Sequence, residues 1–123
     1  LNENMISLLE RNNAIVSILS FDGPYQDQNR PLLGGGPTHD ILLRSIGLIP
    51  EHMRKRMTLR ATVRPGQRLV PIYEEGLKFN VGSITPIHDV ENSNFTAEEV
   101  MDTIIELAEY FKFKMPPTKL YIQ

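Results

Sequence analysis

In the opening stretch NENMISLLERNNAIVSILSFDG, Met5, Leu8, Asn12, Ile15 and Leu19 recur at 3-4-3-4 spacing. That is the a/d seam of a coiled coil, with Asn12 at a position where a buried amide fixes register and oligomer number. The spacing predicts an amphipathic helix over residues 1–21, started by Asn2 or Asn4 and stopped by Asp22-Gly23-Pro24. It is a candidate oligomerisation element, set apart from a single domain over 22–123. Residues 14–21 (AIVSILSF) also fit a buried strand, because a short apolar run does not decide between the two.

The period changes further along. In MTLRATVR, Met57, Leu59, Ala61 and Val63 alternate with Thr58, Arg60, Thr62 and Arg64, the pattern of a strand with one face covered. Pro65-Gly66 supplies the two central residues of a type II turn. QRLVPIYEE then reads as a returning strand, with Pro71 marking a free edge, and Leu77, Phe79 and Val81 as alternate positions of a third. The expectation is a three-stranded antiparallel meander over about residues 57–84.

Helical spacing returns in NFTAEEVMDTIIELAEYFKFKMPP. Thr96 and Glu99 form a capping box, and Val100, Met101, Ile104, Ile105, Ala108 and Phe111 form a broad apolar face. A helix over about 97–112 covering the sheet completes an α+β fold. Between the first helix and the meander lie a loop (DGPYQDQNRPLLGGGPT, residues 22–38) and one short helix over Ile41–Ile46, followed by a helical turn through Glu51–Arg56.

Composition narrows the field modestly. The chain has 123 residues, 41% of them hydrophobic and 23% charged, in the range of one ordinary globular domain. No apolar run approaches the roughly 20 residues of a membrane span, so a soluble, intracellular protein without membrane contact is expected. The absence of cysteine excludes disulfides and thiol chemistry.

Charge is unevenly spread. Arg54, Lys55, Arg56, Arg60, Arg64 and Arg68 occur with no acid between them, whereas residues 90–111 are acidic without a base. Arginine forks suit carboxylate or phosphate. The cluster is therefore a candidate surface for an acidic protein partner or a second copy. Nucleic acid ranks lower, since aromatic stacking residues and a strongly basic balance are lacking.

Gly34, Gly35, Gly36, Thr38 and His39 precede the Ile41–Ile46 helix, so this loop is a candidate anion site at a helix N-terminus. It matches neither G-x-G-x-x-G nor a P-loop. The pairs His39-Asp40 and His88-Asp89 are acceptable metal ligands, but their spacing fits no metal motif. No catalytic residue, metal or cofactor is assigned. The reading from sequence is a non-enzymatic interaction or assembly protein that forms homo-oligomers or docks on an acidic partner. The alternative is a small enzyme or ligand-binding domain with an anion site at Gly34–Asp40.

Overall fold

The computed structural model describes residues 2–14, 17–91, 94–112 and 119–120. Helix α1 (Glu3–Arg11) starts where the Asn2 side chain accepts the Met5 N–H at 3.0 Å. It ends where Asn12 donates its amide back to the Leu8 carbonyl at 2.7 Å and Asn13 turns left-handed at φ +50°. Strand β1 (Ile18–Ser20) follows. The segment expected as one helix over 1–21 is thus a short helix and then a strand, the form that residues 14–21 also fitted. Ile18 and Ser20 are exposed, however, so the strand is not a buried one.

After β1 the chain makes a 3₁₀ turn (Gly23–Tyr25) and a one-turn helix α2 (Gln26–Asn29). Helices α3 (His39–Leu48) and α4 (Glu51–Arg54) lead into β2 (Thr58–Val63). Helix α5 (Leu69–Leu77) joins β2 to β3 (Ser83–His88), and α6 (Ala97–Lys112) joins β3 to the two-residue β4 (Lys119–Leu120). The strands lie side by side in chain order, and every pair is parallel.

The antiparallel meander is therefore overturned, although the mixture of helices and strands stands. Only the first of its three strands exists. The Pro65-Gly66 turn does form, with the Gln67 N–H donating to the Arg64 carbonyl at 3.0 Å and Gly66 at φ +82°. It delivers the chain into α5 instead of a returning strand. Pro71 sits in the first turn of that helix, where its missing N–H would have had no intrahelical partner. Leu69, Ile72, Tyr73 and Gly76 are the buried residues of α5, a helical and not an alternating period.

Parallel pairing sets the two faces of the sheet. Leu59 is in register with Leu19 and Ile84, and this face is the core. A Cβ on Gly76 would lie 2.7 Å from Ile84 Cδ1, so α5 presses directly on it. Helix α6 lies beside α5, with Leu107 buried and Phe111 edge-on to Tyr73 at 4.7 Å. Burial, with a smaller push from Tyr110, raises the Tyr73 phenol to about 12. The capping box of α6 forms as read: the Glu99 N–H donates to Thr96 Oγ1, and the Thr96 N–H to Glu99 Oε2. Parallel strands in chain order place the helices of same-handed crossovers on one face. The opposite face carries Ser20, Thr58, Arg60, Thr62, Ser83 and Thr85 together with Ile18 and Ile87, and of these Ser83 and Thr85 are buried. No helix among the described residues is long and apolar enough to cross a membrane.

Candidate functional site at the carboxyl end of the sheet

Strand β1 stops at Ser20, and the sheet continues through a side chain. The Phe21 N–H still reaches the Arg60 carbonyl at 3.0 Å. At the next ladder position Asp22 Oδ1 accepts the Thr62 N–H at 2.8 Å, in place of a backbone carbonyl. Asp22 is fully buried, so its charge requires a partner. Arg30 Nε donates to Asp22 Oδ2 at 2.9 Å, and the same guanidinium donates to Thr62 Oγ1 at 2.9 Å.

A second buried network locks the turn after β2. Asn29 and Gln67 exchange amide hydrogen bonds at 3.0 and 2.6 Å. Asn29 also donates to the Thr62 carbonyl, and Gln67 Oε1 accepts the Arg64 N–H. Fully satisfied buried amides of this kind fix backbone geometry. The ends of β1 and β2 are therefore rigid where ligands commonly bind parallel sheets.

Between these strand ends lies a cavity of about 530 Å³, lined by Ser20, Arg30, Arg60, Thr62 and residues 87–91. Ser20 and Arg60 are register partners on the open face, so hydroxyl and guanidinium lie on adjacent strands of one wall. The Arg60 side chain is exposed and has no hydrogen-bond or ion-pair partner among the described residues. Asp89 and Glu91 contribute two carboxylates to the same lining. At the rim, His88 shares a 2.7 Å hydrogen bond with Thr103 and packs edge-on to Phe95. Burial pushes its imidazole below the usual histidine value, which keeps it neutral near pH 7.

The basic cluster read from sequence is dispersed by the fold. Arg54, Lys55 and Arg56 lie at and just beyond α4, before β2 begins. Lys55 pairs with Glu51 at 3.4 Å, and Arg54 Nε is buried without a hydrogen-bond partner among the described residues. Arg68 is bound to Glu106 of α6 at 3.0 Å. Arg60 and Arg64 remain on the strand and its turn. No hairpin presents the six as one surface.

The Gly34–Gly36 loop also differs from an open anion cradle. Asp27 Oδ1 accepts the N–H groups of Thr38 at 2.8 Å and His39 at 2.7 Å, so an internal carboxylate occupies the α3 N-terminus. Those two bonds hold the Asp27 carboxyl below its ordinary value. His39 Nε2 bonds Glu75, and the ring stacks on Phe21 at 6.0 Å. His39 and His88 thus have separate partners. Among the described residues no group of three His, Cys, Asp or Glu could hold a metal ion.

The proposed seam is divided among elements: Met5 and Leu8 are on α1, Asn12 caps its end, and Leu19 is on β1. Ile15 lies outside the described residues. Sequence reasoning missed Asp22, Asn29, Arg30, Thr62 and Gln67, having placed most of them in a loop. One signal was present: each apolar run that became a strand is followed at once by polar, chemistry-bearing residues (Asp22, Arg64 and Asp89). Comparison with protein-family models, curated proteins and solved structures returns no match.

Proposed function

We propose that this domain binds a small charged ligand at the carboxyl end of its parallel sheet. An anionic group of the ligand is held by Arg60 and Ser20, and its polar remainder faces Asp89 and Glu91. The observation that supports this most is the polar stretch of that face at Ser20, Arg60 and Thr62. Parallel sheets ordinarily bury both faces in apolar contacts, whereas here the face opposite the helices carries an unpaired arginine beside a cavity. Arg30, itself tied to Asp22, stiffens the wall, so on binding only the Arg60 side chain of the two arginines has to be ordered. Arg30 is already matched by Asp22, so Arg60 shares the cavity with the carboxylates Asp89 and Glu91, which suits a ligand bearing both signs.

The test is a backbone NMR titration with methylphosphonate, a one-headed anion. Expected shifts centre on Ser20, Arg60 and Thr62, and Arg60→Gln removes them with the fold intact. Shifts that follow Arg54, Lys55 and Arg56 instead, or that survive Arg60→Gln, overturn the reading.

A second reading, association of copies through α1, draws on Met5 and Leu8, which are 49% and 53% exposed. At nine residues α1 is shorter than a coiled coil of three to four heptads. Light scattering on the intact chain tests it. A monomer at high concentration sets it aside, and a dimer dispersed by Leu8→Glu supports it.

A further inference from the structure

We infer that the ligand of this site carries a second anionic group, received by Arg64 in a groove that opens from the main cavity. The inference rests on the binding reading above and extends it. The groove encloses about 190 Å³ and is lined by Asp22, Asn29, Arg30, Thr62 and Arg64. It shares Arg30 and Thr62 with the main cavity. Those two side chains, joined by a 2.9 Å hydrogen bond, border both spaces.

Charge distinguishes the two compartments. In the main cavity Arg60 lies with two carboxylates, Asp89 and Glu91, and Arg30 is paired with Asp22. In the groove Asp22 is the one acid, and both of its oxygens are already used, one by Arg30 and one by the Thr62 N–H. The groove is left with one positive charge in excess. The Arg64 side chain is exposed and has no partner among the described residues. Its backbone, by contrast, is held by the Gln67 amide, which is itself latched to Asn29. A fixed backbone beneath an unpaired guanidinium sets where the contact is made, and the side chain itself is ordered as the anion binds.

Spacing sets the ligand class. Arg60 and Arg64 stand four residues apart along β2 and its turn, roughly 13 Å between Cα atoms at the usual strand rise, and Arg60 lines the main cavity whereas Arg64 lines the groove. A compact dianion reaches one of them. A molecule with carboxylate or phosphate groups at both ends of a short chain reaches both.

The experiment uses the intact chain with methylphosphonate and with straight-chain alkylene bisphosphonates of increasing length, followed by calorimetry and NMR. A bisphosphonate of intermediate length is expected to bind about tenfold or more tighter than methylphosphonate, because the second contact becomes intramolecular. The shortest, methylene bisphosphonate, gains little. Arg64→Gln is expected to cancel the advantage of length while leaving methylphosphonate affinity unchanged. It retains the backbone N–H that Gln67 binds, and circular dichroism verifies that the variant is folded. Equal affinity for one-headed and two-headed probes, or an advantage that survives Arg64→Gln, overturns the second subsite alone. Methylphosphonate binding that ignores Arg60→Gln overturns the main-site reading, and no response to either probe overturns both.

Discussion

Asp22 takes the place of a backbone carbonyl for Thr62, accepting its N–H at 2.8 Å from a fully buried position forty residues away in the chain. The same carboxylate anchors Arg30. Asp22→Ala leaves a strand N–H unsatisfied and a guanidinium without its counter-charge. Because Arg30 is 40% exposed, the cost falls toward the low end for a broken pair, at about 3 kcal/mol. Asp22→Asn keeps an acceptor for Thr62 and loses the charge, so about 1 kcal/mol is expected. Urea melts of the two variants check the order; equal losses would mean that the ladder bond contributes nothing beyond the ion pair.

Gly23 lets the turn after Asp22 lie against α5. Its φ is +60°, and an added Cβ would fall 2.9 Å from Ile72 Cα. Gly34 has φ +93° but open space around its Cβ. Gly34→Ala therefore suffers backbone strain alone, about 1–3 kcal/mol. Gly23→Ala adds a clash with backbone and should destabilise clearly more. If thermal melts show the two alanines to be equivalent, the close approach to Ile72 is not a constraint.

These two residues also show where the sequence was opaque. The start of the last helix could be read because its signal is local, Thr96 and Glu99 lying within one turn. Its buried side could not: Met101 and Ile105 of the expected apolar face are exposed, and Leu107, outside that face, is the residue that is buried. The strand at Thr58–Val63 was equally legible from its alternation. What followed it was not, because Pro65-Gly66 fits a turn into a strand or a helix alike. Leu69, Ile72, Tyr73 and Gly76 do carry helical spacing, but Pro71 and the β-branched residues beside it favoured an edge strand. The site was less visible still. Asp22, Arg30 and Thr62 converge through pairing between β1 and β2, a relation of register that no local spacing encodes. Charge counting found Arg60 and Arg64 without showing that Arg68 is already engaged by Glu106.

The histidines His39 and His88 should make opposite contributions to the pH dependence of stability. For His39, burial acts first and lowers its affinity for protons, but the bond to Glu75, with Asp40 and Asp27 nearby, outweighs it and raises the imidazole above its ordinary value. Its stabilisation is present below the unfolded value near 6.5 and is lost as pH rises through the folded one. His88 is lowered by burial. It costs nothing above the unfolded value, and it destabilises the fold as pH falls from there toward its depressed folded value. NMR titration of the two rings should show His39 above and His88 below 6.5. In denaturant melts between about pH 5 and 7, His39→Gln should lose more stability at the acid end, and His88→Gln should lose less there than at neutrality. Matching titrations for the two rings would remove the assigned environments.

Asp27 decides whether the glycine-rich loop is open to ligands. Its carboxylate accepts the Thr38 and His39 N–H groups, the donors that an external anion would need at the start of α3. Thr38 makes no capping bond with its own side chain; instead its hydroxyl donates to the Arg30 carbonyl at 2.6 Å. Asp27 therefore caps α3 from a different helix and ties it to α2. In the intact protein, methylphosphonate should leave the Thr38 and His39 amides unmoved while shifting those near Arg60. Asp27→Ala vacates the donors, so the same probe should then shift both amides. Because those hydrogen bonds hold Asp27 below its ordinary value of 3.8, the cap stabilises the fold above that value and is lost as pH falls through the lowered one. Hydrogen exchange at Thr38 and His39 should accelerate in Asp27→Ala near pH 6, whereas the α6 amides around Leu107 keep their protection. If the wild-type loop amides respond to methylphosphonate as strongly as those of the variant, Asp27 does not occupy the helix terminus in solution.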